Sequence, residues 1–347
     1  PKLLNGLACG QPLGCQLEGP LLRPLPCWRQ RSGGLTMDQT TNSYHEPVLV
    51  SACVEALAPA AAGVIVDGTF GGGGHSRALL AAYPHAIVIG IDRDPEALLN
   101  APNELRLRTV LGNFSEMQRL VNDELGAPPD ARSTVDGVLL DLGISSHQVD
   151  TAERGFSYHR SGPIDMRMGA DAPTGAGELV NGLDRNELRD LIRRYGEERY
   201  AGRIAGAIVD ARPINNTADL AAVIAAAVPA AARRSGHPAR KTFQALRIAT
   251  NAELDALSAG LESAIELLKP GGRLCVISYH SLEDRITKRR ISAGAADCVC
   301  PPGLPVCTCE RRPELEILGR VRPSEAEVAA NPRSRSAVLR IAGRLAA

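Results

Sequence analysis

Three aspartates that each close an apolar run are the residues best placed to do chemistry. Asp67 follows Val64-Ile65-Val66, Asp92 follows the run Ala86 to Ile91, and Asp141 follows Val138-Leu139-Leu140. Between the first two lies Gly71-Gly72-Gly73-Gly74-His75-Ser76. Without Cβ atoms such a turn can take φ > 0 and let a ligand lie against bare backbone, while the first N–H groups of the following helix point at it. A carboxylate about 20 residues beyond a turn of this kind is placed to hold a ribose diol, which makes Asp92 the candidate ribose ligand. Its competing use, capping a helix opened by Pro95, suits Asp94 better.

The letters also discriminate between cofactors. A dinucleotide fingerprint needs glycines at i, i+2 and i+5, and every register that could supply them is blocked by Phe70, Ser76 or Arg77. Asp67 opposes a pyrophosphate and attracts a ligand carrying an ammonium and a sulfonium. S-adenosyl-L-methionine is therefore the expected cofactor. A glycine turn in a parallel sheet with no ligand is the competing reading of this motif taken alone.

The stretch Asp141-Leu142-Gly143-Ile144-Ser145-Ser146-His147-Gln148 should line the reaction centre, because open α/β sheets bind ligands at the carboxyl edge of their strands. A solvated turn is the alternative. Asp141, Ser145 and His280 are the candidate catalytic residues. His280, in Ser278-Tyr279-His280-Ser281, could position substrate or accept a proton, and equally could be a hydrogen-bonded structural histidine. Phe114, in the loop after a strand from Arg108 to Leu111, is a candidate stacking partner for an adenine. Cys298, Cys300, Cys307 and Cys309 have enough thiolates for a tetrahedral zinc site in C-x-C spacing, although plain thiols explain them as well and the chemistry needs no metal.

These groups require a Rossmann-like α/β sheet to position them. Val64–Val66, Ala86–Ile91, Arg108–Leu111 and Asp136–Asp141 read as strands, the last nearly all apolar, as when both faces are covered. The next convincing strand, Arg273 to Ser278, comes about 130 residues later, far beyond the length of a crossover. A helical domain is therefore expected between them, with helices at Glu187–Tyr195, Arg199–Asp210, Thr217–Val228 (N-cap within Thr217-Ala218-Asp219) and one long helix Phe243–Leu268 stopped by Lys269-Pro270-Gly271-Gly272. A strand from Ser336 to Ala342 closes the sheet. The predicted division is a parallel-sheet domain from 37–149 and 250–347 and an inserted recognition domain from 150–249.

Formal net charge is zero, so any anionic partner must find a local asymmetry. One exists: Arg199 to Arg247 contains eight Lys or Arg against two Asp. Arg233, Arg234, Arg240, Lys241 and Arg247 could hold RNA phosphates without reading sequence, a solvated helix face being the alternative for each. With aromatics at only 3%, a base-stacking platform is disfavoured. No apolar run approaches a membrane span. Residues 1–36 mix Pro, Gly and Cys without period and read as an unstructured extension, so the functional protein is expected to start near Met37. Without a signal-type h-region the expected location is cytoplasmic, where nine scattered cysteines do not make a disulfide framework.

The motifs resemble those of the bacterial S-adenosylmethionine-dependent 16S ribosomal RNA (cytosine-N4) methyltransferases. The resemblance is carried by HEPVL at 45–49, DGTFGGGGHS at 67–76, IDRDP at 91–95, DLGISSHQ at 141–148, ERGFSY at 153–158, YGEER at 195–199, TFQALRI at 242–248, SYHSLEDR at 278–285 and NPRSRSAVLR at 331–340. It covers the chain from about Tyr44 onward. It implies a class I methyltransferase fold with an inserted helical domain, and cofactor contacts from Gly73, Gly74, His75, Asp92, Phe114, Asp141 and Gln148. It further implies a decoding-centre cytosine as acceptor in 16S rRNA of the small subunit, with no membrane association and no obligate protein partner. His147 departs from the pattern, where proline is common. Two rivals compete: a methyltransferase acting on DNA or a small molecule, and a non-catalytic RNA-binding or assembly protein with a vestigial pocket.

Overall fold

In a computed structural model the described residues are 47–99, 101–298, 300, 309 and 311–346; residues 1–36, Met37, the His45-Glu46 pair and Cys307 lie outside them. The strands are β1 (Val64–Asp67), β2 (Ile87–Asp92), β3 (Leu107–Leu111), β4 (Val135–Asp141), β5 (Leu268–Ser278), β6 (Leu315–Val321) and β7 (Val338–Arg344). They form one sheet in the order β3-β2-β1-β4-β5-β7-β6. The first five run parallel, and β7 pairs antiparallel with both β5 and β6. Chain order reverses between β1 and β4, so the carboxyl ends of β1, β2 and β4 meet at a switch point, where doubly wound sheets hold ligands.

Helices cover both faces: α1 (Val50–Ala56), α2 (Gly74–Ala82), α3 (Pro95–Leu98), α4 (Met117–Leu125) and α5 (Ser146–Asp150) precede the long excursion from the sheet. Alternation along β4 divides the core. Val138 and Leu140 pack with Leu261 and Ile265, whereas Leu139 faces the opposite way with Leu57, Leu79 and Ile277. Burying a residue of this kind contributes roughly 1.5–3 kcal/mol, and here it fixes which face each strand shows.

The excursion consists of α6 (Ala176–Gly182), α7 (Arg185–Gly196), α8 (Ala201–Asp210), α9 (Thr217–Ala227) and α10 (Arg240–Asn251). Leu188, Ile192, Ile204, Ile208, Leu220, Ile224 and Leu246 are fully buried in a cluster of their own. The helices α11 (Glu253–Leu267), α12 (Ser281–Gly294) and α13 (Glu325–Ala330) complete the molecule. Among the described residues, no helix is long and apolar enough to cross a membrane.

Two expectations are corrected. The single helix Phe243–Leu268 is two, broken at Ala252 (φ 49°, ψ 38°), because the Asn251 amide is drawn to the Met166 carbonyl and the Met168 N–H, both at 2.8 Å. The N-cap of α9 is Asn216, whose side chain accepts from the Asp219 N–H at 2.9 Å. The helix does stop where expected, α11 ending at Leu267, and Lys269 to Gly272 belong to the irregular start of β5. The strand β6 is an addition; of its residues only Leu315 is buried, and Ile317 and Leu318 face outward.

Candidate active site

The first turn beyond β1 is built by glycine chemistry. Gly71 and Gly73 have φ of 51° and 70°, and Gly73 opens α2. A Cβ on Gly73 would lie 2.7 Å from the Phe70 ring, and one on Gly74 only 2.3 Å from Pro47. Gly74 is thus held by packing against Pro47 and the buried Gly73 by the Phe70 ring, so the backbone that the turn leaves partly exposed is that of Gly71 and Gly72.

Around this surface stand the three aspartates. Asp92 accepts the Gly71 N–H at 2.6 Å and the Asp94 N–H at 2.8 Å. Asp67 is buried, accepting from Ser76 Oγ at 2.7 Å and the Thr69 N–H at 3.3 Å. Asp141 is fixed through its own N–H, which donates to Thr69 Oγ1 at 2.6 Å. Its carboxylate lies 3.8 Å from His75 Nδ1, and the Tyr279 side chain beside it acts to lower its pKa. His75 Nε2 lies 3.0 Å from the Val48 carbonyl, which can only accept, so Nε2 carries the proton and Nδ1 faces Asp141.

Burial pushes all three carboxyls up. Asp92 rises from its ordinary 3.8 to about 6, with two backbone N–H groups holding it back. Asp67 and Asp141 are raised by burial, chiefly opposed by His75. Tyr279 is raised well above its ordinary value by burial and then by Asp141. Three carboxylates on neighbouring strands with one histidine between them make a site that favours a cationic ligand.

Other predicted residues support this centre from behind. Asp94 caps α3 through the Glu96 N–H and also receives Gln148 Nε2 at 3.1 Å and Arg154 Nη2 at 2.7 Å. Gln148 is buried, and with Ser145 it forms a capping box that starts α5. The Ser145 hydroxyl therefore accepts the Gln148 N–H at 3.2 Å and has its own proton left to donate. His147, exposed, reaches Glu96 at 3.1 Å. Phe114 packs across Gly260 of α11. A cavity of about 310 Å³ beside it is lined instead by Arg93, Asn113, Asp171, Asn251 and Asp255.

His280 is the N-cap of α12, its Nδ1 accepting the Glu283 N–H at 3.4 Å. Its Nε2 is buried, 3.1 Å from Glu283 Oε1 but without hydrogen-bond alignment. Glu253 completes this group, and here Arg247 departs from expectation. It is held in a bidentate pair by Glu253, at 2.8 Å to each oxygen, with both side chains largely buried, so it serves this inner cluster and is not displayed to phosphate.

Of the remaining basic residues, Arg233 and Arg240 lie outward. Arg240 is exposed at the start of α10, and Arg233 is exposed with Nε donating to the Val228 carbonyl at 3.0 Å. Lys241 donates to the Glu197 carbonyl at 2.9 Å, and the side chain of Arg234 lies outside the described residues. Sequence reasoning missed a second basic surface, a groove of about 440 Å³ lined by Arg185, Arg189, Arg193, Arg199 and Arg203. Only Arg189 of these is ion-paired among the described residues, to Asp190. The i, i+4 spacing of 185, 189 and 193 on one helix is the signal that could have found it. Sequence reasoning also passed over Tyr279 as an Asp141 partner. Glu197, beside the groove, bonds Ser281 and, at 2.8 Å, Arg285, tying YGEER to SYHSLEDR.

The model of the MraW methylase family matches residues 42–345. A protein of Symbiobacterium thermophilum named ribosomal RNA small subunit methyltransferase H is 50% identical over 88% of this chain and 98% of its own length. A Geobacter sulfurreducens protein of the same name is 52% identical over 87% of this chain and 99% of its own.

Proposed function

Because the chain belongs to the MraW methylase family and is a ribosomal RNA methyltransferase, we propose that it methylates the exocyclic N4 amine of a decoding-centre cytosine in 16S rRNA of the small subunit, using S-adenosyl-L-methionine. The observation that carries the cofactor is the row of Asp67, Asp92 and Asp141 around the glycine turn, with burial acting to raise the pKa of each. A ligand with an ammonium and a sulfonium relieves that field, and the glycine turn admits it against backbone. When bound, the cofactor supplies an electrophilic methyl group.

The protein's own residues do the rest. Asp92 takes the ribose, and Gly73 with the start of α2 bounds the ligand. The lone pair of a cytosine amine is delocalised into the ring, so the amine must be held in line, within about 3–3.5 Å of the methyl group. Asp141 and the carbonyls of the Leu142 to Ser145 loop accept its N–H and localise the lone pair. Ser145 and His280, whose Nε2 lacks a hydrogen bond, orient the base. No strong base is needed, since the proton becomes acidic after transfer. The base must be unstacked to reach this edge, as loop nucleotides are. The outward-facing arginines of the helical excursion bind phosphate. The protein acts in the cytoplasm, where its substrate is.

The test is transfer of a labelled methyl group to isolated small subunits, followed by mass spectrometry of the nucleosides. Expected is one N4-methylated cytidine in 16S rRNA. Label in DNA or a small molecule, or no transfer, would select one of the rival readings.

A further inference from the structure

We propose that Cys298, Cys300 and Cys309 bind a structural zinc ion at the far end of α12. Their sulfurs all lie within 4.8 Å of one another. The Cys298 and Cys309 sulfurs are 3.9 Å apart, across eleven residues of sequence. A tetrahedral zinc with Zn–S near 2.3 Å requires sulfurs roughly 3.8 Å apart, while a disulfide requires about 2.05 Å. The Cys300 N–H also points to Cys298 Sγ at 3.4 Å, the kind of interaction that holds a ligating thiolate in place. An iron–sulfur cubane, which puts each thiolate on a different iron, spreads its sulfurs farther than one ion does.

The surroundings explain why a metal is useful there. The loop from 295 to 313 leaves and returns at one point: the Glu314 N–H donates to the Gly294 carbonyl at 2.8 Å, and Arg311 Nη2 to the Ala293 carbonyl at 2.6 Å. None of its described residues is buried. A cross-link offsets the closure entropy. The 14 residues of α12 separate this loop from His280 by about 21 Å, which makes the ion structural and not catalytic. Cys307, the fourth cysteine of the sequence motif, lies outside the described residues.

The test uses the full chain purified under reducing conditions without chelator. Elemental analysis should find about one zinc per chain, and the triple variant Cys298→Ser, Cys300→Ser, Cys309→Ser should fall below about a tenth of that. Cobalt exchanged into the wild-type protein should show thiolate-to-metal charge transfer and tetrahedral ligand-field bands, a readout that stands even if the variant folds poorly. Cofactor affinity of the folded variant should stay within about twofold, given the separation. Substoichiometric zinc together with no cobalt–thiolate spectrum overturns the proposal. So does zinc retained in full by the triple variant, or a disulfide among the three cysteines.

Discussion

The Asp92 carboxylate accepts the N–H of Gly71 at 2.6 Å, so the proposed ribose acid and the glycine turn form one unit. Asp92→Asn leaves one of two backbone donors without its acceptor and weakens S-adenosylmethionine binding by roughly 1.5–3 kcal/mol, read by calorimetry. Wild-type affinity should be flat above pH 6 and weaken below it, since Asp92 protonates at about 6. The sign for stability is opposite to that of a salt-bridged aspartate. The folded state holds this proton more tightly than the unfolded state, so the contribution is full below the ordinary value of 3.8 and is lost as pH rises to about 6. Relative to Asp92→Asn, the wild-type protein should lose up to roughly 3 kcal/mol across that window in urea titrations. A pH-independent difference would remove the assignment.

Gly73→Val forces a branched residue into φ of 70° and sets its Cβ 2.7 Å from Phe70. It should abolish measurable cofactor binding and cost about 1–3 kcal/mol of stability. Gly182→Ala, where a Cβ meets nothing within 4 Å, is the control and should keep wild-type affinity. Unchanged binding by a folded Gly73→Val protein would show that the turn does not touch the ligand.

Replacing Arg193, Arg199 and Arg203 together with alanine should weaken binding to ribosomal RNA. It should also flatten the salt dependence by roughly 0.7–0.9 in slope for each phosphate that the variant no longer neutralises. Cofactor affinity should not move. Arg233→Ala with Arg240→Ala tests the second surface in the same assay. A wild-type slope in both sets would exclude the helical excursion as the docking surface.

Tyr279→Phe removes the hydroxyl that acts to lower the Asp141 pKa. Without it Asp141 rises further, so the acid limb of the methyl-transfer profile should move to higher pH. Turnover should fall roughly tenfold or less, in line with a bond of about 0.5–1.5 kcal/mol. An unshifted limb would mean that Asp141 does not govern it.

How much of this is legible in the sequence depends on whether the signal is local. The runs before Asp67, Asp92 and Asp141 announce their strands because buried parallel strands must be apolar on both faces. The strand β6 gives no such sign, since only Leu315 is buried and its other apolar residues face outward. Nothing in the letters around Ala252 breaks a helix; the break is set by Asn251 reaching Met166 and Met168, more than 80 residues away. Composition groups Arg247 with the phosphate-binding candidates, but its partner Glu253 becomes decisive only once α10 and α11 are separate helices.

The order of the sheet also has a consequence for synthesis. Strand β7 is made after β6 yet lies between β5 and β6. While the ribosome is still translating residues before 338, β5 has an open edge carrying Cys275, Val276 and Ile277, and β6 has no strand to pair with. Both exposed edges are templates for the wrong partner. A nascent chain of this protein thus cannot close its sheet progressively; it must wait for one late strand that seals two edges at once.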